Sequence, residues 1–274
     1  MIHPSASIDP HAQVHESCEV GPYAVIGRDV VMGAGNTVGP HAVITGPTTI
    51  AENNHIFQFA SIGADPQDLK FDSQSDGSNS RLEIGTGNRI REFVTVNRGT
   101  AGGGGLTRIG NDNLLMAYVH IAHDCLVDNN TVFANSASLA GHVVVGDYAI
   151  LGGFSLVHQF SRIGAHSFSG MGSVINKDVP PYVLVSGHFA ESKGINKEGL
   201  KRRGFSSDEI RAIQKSYIKL VRTKGVIDDE VFAEVERIAV EYAGVKNMLE
   251  FVRTATRGTA VSYTHLTLPT TPYV

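Results

Sequence analysis

A chain of 274 residues with 42% hydrophobic and 18% charged side chains can bury a substantial core and reads as a folded, water-soluble protein. Its net charge of −4 gives no reason to expect nucleic acid, no stretch approaches the ~18 apolar residues of a membrane span, and no basic-then-apolar leader opens the chain. Two cysteines are too few for a disulfide framework and fit a reducing cytoplasm.

From the start, aliphatic side chains recur every six residues: Ile2, Ile8, Val14, Val20, Ile26, Met32, Val38, Ile44, Ile50, Ile56 and Ile62. Small residues fall four places later at Ala6, Ala12, Cys18, Ala24, Ala42 and Ala60, and Gly often follows the aliphatic directly. The phase breaks after Ile62, resumes over Ile84, Ile90 and Val96, breaks again, and then holds from Ile109 to Ile163, with Ser169 and Ile175 closing it.

A period of six matches neither an amphipathic helix nor an alternating strand. It matches a coil of short flat strands that turns a corner every six residues, with the aliphatic inside and the small residue beside it. Three sides make a coil, and stacked coils pair as parallel β-sheet at ~4.8 Å spacing. Cys18 and Cys125 take the small inward position and are expected to pack rather than react. Residues 64–82, with a polar run, and residues 97–108, with four consecutive glycines, are expected to be loops thrown out from the prism.

From about residue 190 the pattern becomes helical: GLKRRG follows Asn196, Ser207-Asp208-Glu209 opens a second helix ending at Gly225, and two more follow. The expected organisation is therefore a β-coil domain over 1–190 and a helical domain over 191–258, which caps the open end of the prism. Residues 260–274 read as the translation of a sequencing-library adapter and are set aside as non-native. Residues 1–190 hold 9 Lys+Arg against 16 Asp+Glu, and residues 191–274 hold 14 against 11, so the basic part suits an anionic partner.

Register turns spacing into geometry. Ile121, Leu139 and Val157 are expected to stack on successive coils, gathering His120, His123, His142 and His158 along one edge, with Gly141 one coil from His123. Histidine beside Asp124 suits a general base with its orienting carboxylate. Histidines also ligate zinc, as in the carbonic anhydrases built on hexapeptide repeats. Three readings stand at this point: an enzyme with a histidine general base, a zinc-dependent hydratase, and a purely structural or ice-binding solenoid.

QDLKF (67–71), NRGTAGGGGLTRIGNDNLLM (97–116), HIAHDC (120–125), ANSASLAGHV (134–143), VHQF (157–160) and GLKRRGFS (199–206) resemble the UDP-N-acetylglucosamine acyltransferases, hexapeptide-repeat enzymes that open lipid A synthesis. The likeness runs from residue 1 to about 258. It implies a mainly β fold, a left-handed parallel β-helix followed by a C-terminal α-helical domain. It implies transfer of an (R)-3-hydroxyacyl group from acyl carrier protein to the 3-hydroxyl of UDP-N-acetylglucosamine, without cofactor or metal, in a cytoplasmic homotrimer with clefts between subunits.

By motif, His123 matches the family's general base, Asp124 its orienting partner and Gly141 the oxyanion donor. His120, His142, His158 and Gln159 match residues that hold sugar, diphosphate or acyl chain. Asp68 and Lys70 match nucleotide-sugar contacts, and Arg202 and Arg203 the basic pair near phosphates. Arg211, Lys215, Lys219, Arg222 and Lys224 would suit an acidic carrier protein.

Two positions depart from the family pattern. Asn97 stands where His often precedes RGT, and Met171 stands where long-chain enzymes carry Gly. The bulk of Met171 implies a shorter acyl donor, about ten carbons rather than about fourteen.

Overall fold

The structure is a computed structural model that describes residues 1–72, 80–222 and 228–260. Among the described residues the repeat builds three sheets of nine, eight and ten strands, in which each coil strand pairs parallel with the strand three along the chain, the last two strands of the third sheet excepted. This is the left-handed parallel β-helix that the family resemblance implied, followed by helices. The stacking runs Ile8, Ile26, Ile44, Ile62, Val96, Ile121, Leu139, Val157 and Ile175 through the first sheet. The expected register at Ile121, Leu139 and Val157 is thus the observed one.

The prism interior is a column of these aliphatics, and Cys18, Ala24, Ala42 and Ala60 fill beside them, all essentially without solvent exposure. Burial also pushes the Cys125 thiol up to about 12, so it packs rather than reacts. One interior corner is polar. Asn36, Asn54, Asn88 and Asn113 are buried one above another, and each side-chain carbonyl accepts the backbone N–H of the next at 2.8–2.9 Å. Thr131 ends that ladder by donating to Asn113 Oδ1 from N at 2.8 Å and from Oγ1 at 2.7 Å. A buried peptide group at a corner needs a partner, and the amide side chain supplies it.

From Tyr23 onward most outer corners contain one residue in the left-handed backbone region, and most of these are not glycine. Tyr23, His41, Phe59, Phe93 and Tyr118 occupy such positions between the third and first sheets and stack at 4.8–5.3 Å. Left-handed conformation in a non-glycine residue is costly. The stacking of successive rings and the regular inter-coil hydrogen bonds offset it here.

The phase breaks are insertions at the corner that follows the first sheet. Ser61–Ala64 leads into the first loop, and Arg81–Ile84 re-enters the second sheet beside Thr48–Ile50. Thr95–Asn97 leads into the Gly-rich loop, and Leu106–Ile109 returns beside Arg81–Ile84. Both loops therefore leave the prism at the same corner on adjacent coils.

After the coils, Val183–Ser186 pairs parallel with Phe168–Ser169, and Glu191–Ile195 turns back antiparallel on it. Helices follow: α1 (Lys197–Arg202), α2 (Ser207–Tyr217), α3 (Asp229–Ala239) and α4 (Ala243–Arg253). The Ser206 side chain caps α2 by accepting from Glu209 N, and α2 runs on as a π-helical turn over Ile218–Arg222. The expected helix end at Gly225 lies outside the described residues. Ile210, Ile213, Tyr217, Val235, Val245, Met248 and Leu249 join the helices into the common core. The chain's last described residues stay attached to the coil: Ala260 N donates to Asp178 O at 2.7 Å, and Asp178 N to Gly258 O at 3.0 Å. The suspected tail beyond Ala260 lies outside the described residues.

Candidate active site

The first-to-second-sheet corner of the coil starting at His120 builds the site. His120–Ile121 ends one strand, Leu126–Val127 begins the next, and Asp124 turns between them with φ of 59°. That turn is closed by Asp124 N donating to Thr107 Oγ1 at 2.8 Å. It brings the carboxylate back under its own neighbour, and His123 Nδ1 lies 2.8 Å from Asp124 Oδ2. A carboxylate only accepts, so Nδ1 carries the proton and Nε2 is left as the base.

Asp124 is buried, its side chain 1% exposed, and its charge is met from the Gly-rich loop. Thr100 donates to it twice, from N to Oδ1 at 2.9 Å and from Oγ1 to Oδ2 at 2.7 Å. A buried carboxylate without such donors would be prohibitively costly.

Gly141 lies one coil along, directly under the imidazole: a Cβ there would fall 2.6 Å from His123 Cε1 and 2.8 Å from Nε2. Among the described residues its N–H has no acceptor, while the flanking Ala140 and His142 N–H groups donate to Val157 O and His123 O. His142 meets His123 edge-on with ring centroids 5.2 Å apart, stacks on Phe160, and places Nε2 3.7 Å from Asp124 Oδ2. His120 is held by Thr95 Oγ1 at 2.7 Å from its Nδ1. Burial lowers the pKa of both flanking histidines; His123 adds to this at His120, while Asp124 works against it at His142. Both shifts favour the neutral imidazole.

Asp68 is near enough for its charge to oppose the lowering of the His142 pKa, as the smallest of the influences on it. Asp68 Oδ1 accepts Lys70 N at 3.0 Å, which closes a turn in the first part of the loop. Asn97 is buried 3% exposed and donates from Nδ2 to Asp65 O at 2.7 Å, so it ties the two loops together. Arg98 does the same from the interior. It is 5% exposed, ion-paired with Asp65, and donates from Nη1 to Gly63 O at 2.6 Å.

Other expected site residues make separate contacts, His158 and Gln159 on the same corner as His123 and the rest on other parts of the chain. His158 has its contacts with Gln159 O at 3.1 Å and Arg257 Nη2 at 3.2 Å, not with His123 or His142. Met171 is 86% exposed in a turn between Gly170 and Gly172. Arg203 lies over the Tyr148 ring at 4.8 Å, on the corner between the second and third sheets, with the exposed Arg202 beside it on α1. Within one chain that corner is not the corner of His123. Of the basic helix residues, Arg211 pairs with Asp208 and Lys219 with Glu234 at 2.6 Å, and Lys224 lies outside the described residues.

His123, Asp124 and His142 each offer a donor atom within 4.8 Å of the others, a residue set that zinc accepts. The donors face one another, however. Asp124 Oδ1 takes Thr100 N, and Oδ2 takes both Thr100 Oγ1 and the protonated Nδ1 of His123. These contacts occupy both oxygens of Asp124 and leave Nε2 as the ring nitrogen of His123 that Asp124 does not take.

Residues 178–260 match the family model described as Udp N-acetylglucosamine O-acyltransferase, domain 2, and residues 11–46 match the six-repeat bacterial transferase hexapeptide model. The acyl-[acyl-carrier-protein]–UDP-N-acetylglucosamine O-acyltransferase of Thiobacillus denitrificans is 52% identical over 94% of this chain and 98% of its own length. The chain belongs to the UDP-N-acetylglucosamine O-acyltransferase family. The likewise named protein of Janthinobacterium sp. is 50% identical over 94% and 98% of the two chains. In three dimensions the family likeness extends through the helices. The UDP-N-acetylglucosamine acyltransferase of Francisella novicida superposes with a TM-score of 0.91 at 40% identity, over 96% of this chain and 94% of that one.

Thr95, Thr100, Gly103 and Thr107 contact the site residues and were given no role in the sequence reading. Thr100, Gly103 and Thr107 lay within the quoted 97–116 motif, whose glycines marked a loop without saying what it covers, and nothing in the sequence pointed to Thr95.

Proposed function

We propose that this protein transfers an (R)-3-hydroxyacyl group from acyl carrier protein to the 3-hydroxyl of UDP-N-acetylglucosamine, the first step of lipid A synthesis. Family membership supports the overall reaction, and one observation carries the mechanism: His123 is bonded through Nδ1 to Asp124 at 2.8 Å and lies over Gly141.

His123 Nε2 takes the proton of the sugar 3-hydroxyl as that oxygen attacks the thioester carbonyl. Asp124 holds the tautomer and stabilises the imidazolium. The oxyanion of the tetrahedral intermediate lies where the Gly141 N–H can donate to it. Collapse breaks the carbon–sulfur bond, and the departing pantetheine thiolate takes the proton from His123. A thioester is already activated, so no covalent enzyme intermediate is required.

His120, His142, Asp68 and Lys70 then hold the nucleotide sugar, with Asn97 bracing the loops rather than reaching it. His158 and Gln159 contact sugar, phosphate or acyl chain from the next coil. Arg202 and Arg203 serve phosphates across a subunit boundary, which suits their position on a different corner from His123 in one chain. The assembly is a homotrimer in the cytoplasm, its sites in the clefts between subunits. Met171 shortens the acyl groove to a donor of about ten carbons, because a few buried methylenes decide such choices.

The test is an assay of UDP-N-acetylglucosamine with (R)-3-hydroxyacyl carrier proteins of graded chain length. Product formation that peaks near the hydroxydecanoyl donor supports the reading, and no transfer from any donor would overturn it.

A further inference from the structure

We propose that Thr100 is a positioning residue of the active site, acting through Asp124 to hold His123 in its reactive tautomer and orientation. The inference rests on the reading of His123 as general base.

Asp124 Oδ2 is shared between the Thr100 hydroxyl at 2.7 Å and His123 Nδ1 at 2.8 Å, while Thr100 N donates to Oδ1 at 2.9 Å. Thr100 therefore fixes both oxygens of the carboxylate, and the carboxylate can present only one direction to the imidazole. The hydroxyl is itself fixed, because it accepts Gly103 N at 3.1 Å while donating to Asp124. Thr100 caps the short 3-10 turn Ala101–Gly103 in this way, and its carbonyl accepts Gly105 N at 2.7 Å. The turn lies against the carboxylate so closely that a Cβ on Gly103 would come within 2.2 Å of Asp124 Oδ2. Gly103 is needed as glycine because the loop folds down onto a buried charge at that position.

The base of the loop is anchored as firmly. Arg98, two residues before Thr100, is buried and bonded to Gly63 O, Asp65 and Ser80 Oγ, and Ser80 Oγ donates to Gly99 O at 2.6 Å. Thr100 thus hangs between a fixed arginine and a closed turn, and its two donors are preorganised rather than recruited. The chain of contact runs from Arg98 through Thr100 and Asp124 to His123. Removal of the hydroxyl leaves Asp124 one donor short, with Oδ2 held by His123 alone.

The experiment compares Thr100→Val, Thr100→Ala and Thr100→Ser with the parent and with His123→Ala, measuring kcat, KM for UDP-N-acetylglucosamine and the melting temperature. A positioning role predicts that Val and Ala lower kcat by about ten- to a hundredfold with KM within about twofold, and that Ser restores kcat to within about threefold. Ala adds no bulk and keeps the backbone donor, so it answers the question if Val does not fold. Equal activity in Ala and the parent overturns the inference, as does a Ser variant no better than Ala. Activity surviving in His123→Ala would instead overturn the general-base reading, whatever the Thr100 variants do.

Discussion

Gly141 and His123 are in contact through the ring's lower face, and the glycine hydrogen occupies space in which a methyl group would lie 2.6 Å from Cε1. The position is glycine because of that approach, not because of its backbone, which is not in the left-handed region. Gly141→Ala should therefore displace the imidazole and tilt the free N–H together. The expected loss is at least about a hundredfold in kcat, in the range of removing one oxyanion donor. Steady-state kinetics with a melting curve alongside checks this; a folded Ala variant with parental kcat would contradict it.

Chain length gives a second test. Met171 is exposed and flanked by Gly170 and Gly172, so shortening it should leave the fold intact. Met171→Gly is expected to move the preferred donor from about ten towards about fourteen carbons, since each buried methylene contributes about 1 kcal/mol to discrimination. Competition between hydroxydecanoyl and hydroxymyristoyl carriers reads this directly, and an unchanged ratio would remove Met171 from the acyl groove.

The buried asparagine ladder makes a prediction about stability alone. Asn54 Oδ1 accepts both N and Nδ2 of Asn88 at 2.9 Å, and its own Nδ2 donates to Asn36 Oδ1 at 3.0 Å. Asn54→Ala strips partners from groups above and below it and should cost about 3 kcal/mol. Denaturant unfolding should show the loss, with kcat of the folded fraction unaltered.

How much of this was legible beforehand follows from what each feature depends on. The hexad fixes which residues face inward, so Ile121, Leu139 and Val157 were placed in register from spacing alone. The contact of Gly141 with His123 followed from the same register. The asparagine ladder was not read, because the interior was assumed apolar and a corner peptide's need for a partner is not visible as periodicity. Thr100 was missed for a different reason. It reaches Asp124 from a loop inserted one coil earlier, and the path of a glycine-rich insertion is set by contacts, not by pattern. His158 kept the expected register but found Arg257, a residue from beyond α4 whose approach no repeat encodes.

Acid sensitivity should trace to His166. Burial, then the charge of Arg203, lowers its pKa from 6.5 to about 4, with Asp147 opposing. The unfolded chain thus binds a proton that the folded chain refuses between those values. Stability contributed by keeping His166 neutral is present above pH 6.5 and lost as pH falls towards about 4. Unfolding midpoints at pH 4.5 and 7 should differ less in His166→Gln than in the parent; an equal difference would refute the assignment.

The central claim is that His123, oriented by Asp124, removes the proton from the attacking sugar hydroxyl. The most direct measurement is the initial rate of acyl transfer from an (R)-3-hydroxyacyl carrier protein to UDP-N-acetylglucosamine, parent against His123→Ala, with folding verified by melting. The account predicts a fall of about a thousandfold in kcat/KM, within the usual reach of general-base catalysis. A folded His123→Ala enzyme working within about threefold of the parent would contradict it.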